Sequence, residues 1–443
     1  MTNLQNTPVR FLCFILFFCV TQSLFSLDEL PLTRTLPENP TTAQLAAFRI
    51  LPEPLWPVNG TPTAAENADL EDLLRDFAGL PPFTGNVVPL LQSIEDYLTA
   101  HPDSPWNPSL RLNLGLLYYR EGFFTRALNT LESCWGCMEP QTHPRAKALA
   151  DRAIGEFLLL NSKLGRFEVM ETVFDDLVDR SIGGVATEFV SGARMGLHAM
   201  HAQPEIAFRC GPMALDRIYT HFDAERPNRQ ILLEAESTQQ GTSLWQNSQW
   251  ADQADIPLRL AQRSTGADIP MPALVHWNSG HFAAITDFRD GRFHVEDATF
   301  HDAMWITLEA IEDEASGYFL IPDDGNPLPT GWSAVDQTTA EGVWGRGYVY
   351  GYDEDETGPC DDQVGCGGDG RGMAVWNVHL MAVSLNLTDT PIAYSNPVGP
   401  KIAFTARYNQ RDVNQPSVFA YPNLGPKWTF DWVSAIIDNP NQQ

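Results

Sequence analysis

Residues 208–215 read FRCGPMAL, and the cysteine in that run, Cys210, sets how the second half of the chain is understood. Gly211 and Pro212 follow it, and the amphipathic pattern of GPMALDRIYTHF then runs on to Phe222. Proline fits the first turn of a helix, where its missing N–H would have had no partner anyway. CGP therefore predicts a helix that starts at the cysteine. The unpaired N–H groups and the dipole at a helix N-terminus favour negative charge, which is what a thiol needs to act as a thiolate nucleophile. Gly211, lacking a side chain, is read as room for a substrate backbone. The competing assignment, a buried inert cysteine, is decided by what lies downstream.

Downstream are three short apolar runs: PALVHW at 272–277, HFAAITDF at 281–288 and RFHVEDATF at 292–300. The turns Asn278-Ser279-Gly280 and Arg289-Asp290-Gly291 separate them, which predicts consecutive antiparallel strands. His281 then stands at the mouth of a buried strand, held by packing, in place for a general base with Gly280 beside it as a second backbone contact for substrate. Asp297 closes the next strand and lies where it can orient the imidazole, as the third member of a triad does. His276 is the rival base, but it sits inside a strand. Alternation puts Glu296 on the face opposite Asp297, and Asp287 and Asp290 fall in or beside the hairpin turn.

The 443 residues carry 56 acidic and 28 basic side chains, a formal charge of -28. That charge repels nucleic acid and anionic membrane. With 43% hydrophobic residues the chain can bury several cores, which makes it a multidomain α+β protein. The run FLCFILFFCV after Arg10 is too short for a comfortable membrane span and predicts a signal peptide over 1–23, with an uncleaved anchor as the alternative. Export implies an oxidising compartment. Of the five cysteines beyond the signal, Cys134 with Cys137 and Cys360 with Cys366 have the spacing of local bridges, with a zinc site as the alternative. Cys210 is the odd thiol. No metal and no cofactor are expected.

Residues 24–84 are rich in proline and threonine and are read as a linker, with one short helix near Leu70. Over 85–205 the pattern is that of long amphipathic helices. Leu114, Gly115, Tyr118, Gly122 and Ala127 fall at tetratricopeptide intervals, which predicts a helical-hairpin array. Such an array serves either as a peptide groove or as a scaffold. The α+β unit is placed at 206–322, and the Asp- and Gly-rich stretch 323–372 is read as a second linker. Residues 373–443 alternate as strands of an all-β segment that is short for a closed domain.

The order CGPMAL, PALVHW, GHFAAITDF, VEDA resembles the bacteriocin-processing, double-glycine leader peptidases, over about 208–322. The resemblance implies a papain-like cysteine peptidase domain with the catalytic set Cys210, His281 and Asp297, and cleavage after small residues. Members of that family carry a glutamine upstream of the cysteine that helps form the oxyanion hole, and Gln203 is the candidate here. Ala298 follows the acid where the family usually has proline. No G-x-x-x-x-G-K-S/T run occurs, so the ATP use of the exporter-fused members is not implied. Residues 373–443 resemble the region that introduces the repeats of RHS/YD-repeat shell proteins, which implies a truncated chain or a shell partner. The expected partner is a peptide or protein substrate, such a shell protein or the chain itself, for which Gly367-Gly368 is a conceivable cutting point. Two other classes fit the same residues: an inactive peptide-binding module, and a transglutaminase-like acyl transferase.

Overall fold

The proline-rich stretch before the helices is folded. The computed structural model describes residues 36–79, 87–138, 144–178, 180–184, 186–223, 225–300, 303–349, 375–379, 384–394, 402–410, 424 and 427–430. Within the first of these, α1 (Thr42–Ala47) and α2 (Ala64–Gly79) belong to the main core. Leu70, Leu73, Leu74 and Phe77 recur at the spacing of one helix face and are buried, and so are Leu51, Leu55 and Val58 between the helices. The linker expected over 24–84 is thus corrected for 36–79. Its prolines break helices without keeping the intervening apolar side chains in water.

The helical half continues through α3 (Val88–Ala100), α4 (Asn107–Glu121), α5 (Phe124–Met138), α6 (Pro144–Lys163), α7 (Phe167–Asp176), α8 (Ala186–Ala202) and the single turn α9 (Pro204–Ala207). The small residues singled out in the sequence act at helix contacts. A methyl on Gly115 would stand 2.8 Å from the Leu131 side chain, so α4 and α5 close tightly at that point. Gly122, with φ of 88°, ends α4 in the left-handed conformation that side chains resist.

The second half opens with α10 (Cys210–Phe222), α11 (Arg229–Leu233), β1 (Thr242–Ser243) and α12 (Leu244–Gln253). It continues through β2 (Leu258–Arg263), β3 (Ala273–Trp277), β4 (His281–Arg289), β5 (Arg292–Glu296), β6 (Ala303–Thr307), α13 (Leu308–Glu314), β7 (Ala315–Pro322), β8 (Trp332–Ala334), α14 (Gln337–Glu341) and β9 (Trp344–Gly345). Seven of the strands form one antiparallel sheet in the order β6-β5-β4-β3-β7-β2-β8. The three strands expected from the sequence are β3, β4 and β5. Alternation assigns their faces: Ala273, Val275, Trp277, Ala283 and Ile285 join the core shared with the helical half. Leu274, Phe282, Ala284 and Leu320 pack with Met213, Leu215 and Leu244 of α10 and α12. The sheet is therefore a middle layer. Phe124 of α5 ties the halves, stacked on Phe300 at 4.9 Å and edge-on to Trp277 at 6.2 Å.

Residues 323–349 are the second correction. They carry β8 on the sheet edge, α14, and β9 paired with β1, so the folded unit runs well past 322. Read alone, the stretch has no period, because its apolar side chains are supplied with partners by the rest of the domain. Beyond it, β10 (Val375–His379), β11 (Ser384–Tyr394), β12 (Ile402–Asn409) and β13 (Trp428–Phe430) form a four-stranded antiparallel sheet in chain order. The expected signal peptide at 1–23, Cys360, Cys366, Gly367, Gly368 and the Cys137 side chain lie outside the described residues. Among the described residues no helix is long and apolar enough to cross a membrane.

Candidate active site

Cys210 is the first residue of α10 and is 1% exposed. Arg209 before it gives no side-chain cap; its guanidinium turns away to the carbonyls of Leu233 (2.6 Å) and Ile206 (3.2 Å). The N-terminal N–H groups of α10 are thereby left to the sulfur and to whatever approaches it. Pro212 sits in the first turn, as the sequence implied. Gly211 has a different neighbour from the one expected, since a methyl there would overlap the carboxamide of Asn247. Asn247 is fully buried, and its Nδ2 donates to Ser243 O at 2.9 Å. Its Oδ1 makes no hydrogen bond.

His281 opens β4 immediately after Gly280, whose φ of 75° closes the turn from β3. The last paired residues of β4 and β5 toward this end are Ala284 and Glu296, so Asp297 stands diagonally across from His281 on the same face. The His281 Nε2–H donates to Asp297 Oδ2 at 2.6 Å, and both side chains are buried. Asp297 Oδ1 accepts the Thr299 N–H at 2.9 Å, which fixes the carboxylate plane. Phe300 meets the imidazole edge-on at 6.0 Å. Burial works against a charged ring, but the Asp297 carboxylate and the Cys210 sulfur outweigh it, and the His281 pKa lies above its ordinary value.

The other imidazole nitrogen, Nδ1, has no hydrogen-bond partner, and the Thr299 hydroxyl has none either. Both face one backbone unit, Gly347: a methyl on that glycine would overlap Nδ1 and crowd Thr299 Oγ1. The Gly347 N–H also donates to Cys210 Sγ at 3.2 Å. Sulfur and imidazole thus face each other across a single glycine. Sequence reading missed Gly347, Thr299 and Asn247. The alternation of glycine with large residues in WGRGY was the signal available for Gly347.

The remaining candidates are placed as follows. His276 is engaged at both ring nitrogens, with Trp344 O at 2.8 Å and Ser316 Oγ at 2.8 Å. Burial pushes its pKa down to about 4, against the pull of the Trp344 carbonyl and helped by the charge on His281. It is neutral at physiological pH and donates through Nε2 to the carbonyl. Gln203 caps α9 with its backbone and is exposed; the described contacts of Cys210 do not include it. Gly280 offers its carbonyl to the Arg346 N–H at 2.9 Å. Glu296 turns to the opposite face from Asp297 and accepts from Thr286 Oγ1 at 2.7 Å. Among the described residues no group of three or more His, Cys, Asp or Glu side chains is placed to hold a metal ion.

The structure thus brings a cysteine at a helix N-terminus together with a buried histidine and aspartate from the antiparallel sheet. Residues 205–326 match the model of the Peptidase C39 family. The match begins just before α10 and ends after β7, so it covers six of the seven strands of the second-half sheet and leaves the helical half, residues 327–349 and the C-terminal strands unmatched. No curated protein and no solved structure matches the chain.

Proposed function

We propose that the domain is a thiol endopeptidase in which Cys210 is the nucleophile, His281 its base and Asp297 the group that holds the imidazole. The observation that carries this is the buried His281, bound to Asp297 at 2.6 Å through Nε2, with Gly347 both lying against Nδ1 and donating its N–H to Cys210 Sγ. His281 takes the proton of the Cys210 thiol as the sulfur attacks the substrate carbonyl carbon. The developing oxyanion takes the Cys210 N–H at the helix N-terminus, without the exposed Gln203. The His281 proton passes to the leaving amine, a thioester on Cys210 remains, and water hydrolyses it with His281 again as base. Cleavage after small residues is supported by the Peptidase C39 match over this domain. Export of the chain is part of the same proposal and rests on the apolar run before Thr21.

The test is the pH profile of Cys210 alkylation by iodoacetamide, read by peptide mass spectrometry. In the wild type the rate is expected to vary by no more than about twofold from pH 6 to 8, the outcome that His281 acting as base for the thiol requires. In His281→Ala it is expected to rise by about tenfold per pH unit toward the ordinary thiol pKa of about 8.5. Burial of the sulfur scales every point alike, so the slope reports ionisation alone. A wild-type profile that climbs like the variant's would remove Cys210 as a preformed nucleophile.

A further inference from the structure

The segment from Val343 to Val349 runs through the cleft in extended form. Its burial alternates: Val343, Gly345, Gly347 and Val349 are buried, and the residues between them are half-buried. Its backbone is bound on both sides. Residues 344 and 345 pair antiparallel with β1. His276 holds Trp344 O at 2.8 Å, and Gly280 O takes the Arg346 N–H at 2.9 Å. The Tyr348 and Val349 N–H groups donate to Lys163 O and Ala207 O, each at 2.8 Å. This is how a peptide ligand would be held: main-chain bonds for affinity, alternate side chains for selection.

The side chains repeat the pattern. Methyls at Gly345 and Gly347 would overlap Phe282 and His281, so both positions take glycine only. Between them Arg346 points to the helical half, paired through both terminal nitrogens with Glu168 at 2.9 and 2.7 Å and lying 4.8 Å from the Phe167 ring centre. Gly165, in the turn before α7, has φ of 64°, and a methyl there would overlap Arg346 O. Two halves of the molecule therefore build one channel around Gly-Arg-Gly.

The Arg346–Gly347 peptide bond lies beside the sulfur, yet not in position to be attacked. Its N–H points at Sγ, which puts the sulfur near the peptide plane, whereas a nucleophile must approach the carbonyl carbon from above that plane. Its carbonyl oxygen is turned to Gly165, away from the N-terminus of α10. We propose that residues 343–349 are an in-cis occupant of the active-site cleft, a strap that covers Cys210 and is displaced by an extended peptide with glycine, a basic residue and glycine in series. Glu168 and Phe167 of α7 select the basic residue. The proposal rests on Cys210 being the nucleophile, and its test separates the two.

Two readouts are taken on the full chain: the absolute rate of Cys210 alkylation at pH 7, and cutting by trypsin after Arg346, which reports the strap and is blind to thiol chemistry. In the wild type both are expected to be slow. Gly347→Ala and Gly165→Ala, each verified as folded by near-ultraviolet circular dichroism, are expected to speed both by about tenfold or more, equivalent to about 1.4 kcal/mol of strap affinity. Using both variants guards against one of them disturbing its own turn. Glu168→Lys is expected to speed both by about threefold, and adding Arg346→Glu to restore protection of Cys210. A synthetic WGRGY peptide should slow alkylation of the Gly165→Ala chain. Rapid alkylation of the wild type overturns the strap, as does a self-cut at Arg346–Gly347 that Cys210→Ala abolishes. If trypsin opens the variants while Cys210 stays inert in them, the strap stands and the nucleophile does not.

Discussion

Asp297→Asn is expected to cost about 3 kcal/mol of stability at pH 6, the scale of breaking a buried ion pair by removing one partner. The side chains of His281 and Asp297 are 0% and 2% exposed, so solvent screens neither charge. Asparagine keeps the shape but has one acceptor oxygen, so of the bonds that Asp297 accepts on Oδ2 from His281 Nε2–H and on Oδ1 from the Thr299 N–H one is lost together with the charge. The pH dependence gives the effect its signature. Burial alone would lower the His281 pKa, but Asp297 and Cys210 raise it to about 10 in the folded chain, against about 6.5 when unfolded. The folded state therefore keeps a proton that the unfolded chain releases. The stabilisation is complete below about pH 6.5 and is lost as pH rises toward 10. Urea midpoints for wild type and variant should stand furthest apart at pH 6 and converge by pH 10. A separation independent of pH would mean that packing rather than charge had been lost. The variant should also make Cys210 alkylation climb with pH, since a weaker base leaves the thiol protonated.

The elements around this pair were legible for definite reasons. Pro212 in the first turn marked the start of α10. Asp290-Gly291, with φ of 52° and 78°, is the two-residue turn that the sequence Asp-Gly announces, and it fixes the β4–β5 register that brings Asp297 toward His281. Period-two alternation then put Glu296 on the other face. What was not legible depended on contacts between distant segments. Leu45, Leu51 and Leu55 lie among prolines, and nothing local distinguishes a chain packed on a helical core from one in solvent. WGRGY reads as loop because its glycines and large side chains have no core of their own; the cleft supplies it. Gly211 looked like room for substrate, and only the fold shows that Asn247 fills that room. Asp216, fully buried in α10 and held by Arg226 at 3.1 Å and Arg229 at 2.8 Å, gave no local sign of its role in pinning the helix that carries Cys210.

The joint between the halves gives the second large prediction. Glu314 ends α13, is fully buried, and accepts from the Thr125 N–H at 3.0 Å and the Thr125 hydroxyl at 2.8 Å. Thr125 lies in the first turn of α5, where N–H groups have no partner within the helix, so a carboxylate from the second half caps a helix of the first. Glu314→Ala strands those donors and should cost about 3 kcal/mol at pH 5, a buried hydrogen-bonded side chain and a cap lost together. The adjacent Arg126–Asp313 pair, at 2.7 Å but with its side chains 40% and 36% exposed, should contribute far less. Burial raises the Glu314 pKa against the opposing Thr125 bonds, so the folded state holds its proton more tightly than the unfolded chain does. The contribution is then largest at and below about pH 4.5 and declines as pH rises through the folded value, so the gap between wild type and variant should be wider at pH 5 than at pH 8. A loss under about 1 kcal/mol would instead assign the joint to the stacking of Phe124 on Phe300. The consequence reaches the cleft without touching it: α7 presents Phe167 and Glu168 to Arg346, and the helical half is held to the sheet at this joint. Glu314→Ala should therefore speed Cys210 alkylation at pH 7 while leaving its flat pH profile intact, separating a loosened cover from an altered nucleophile.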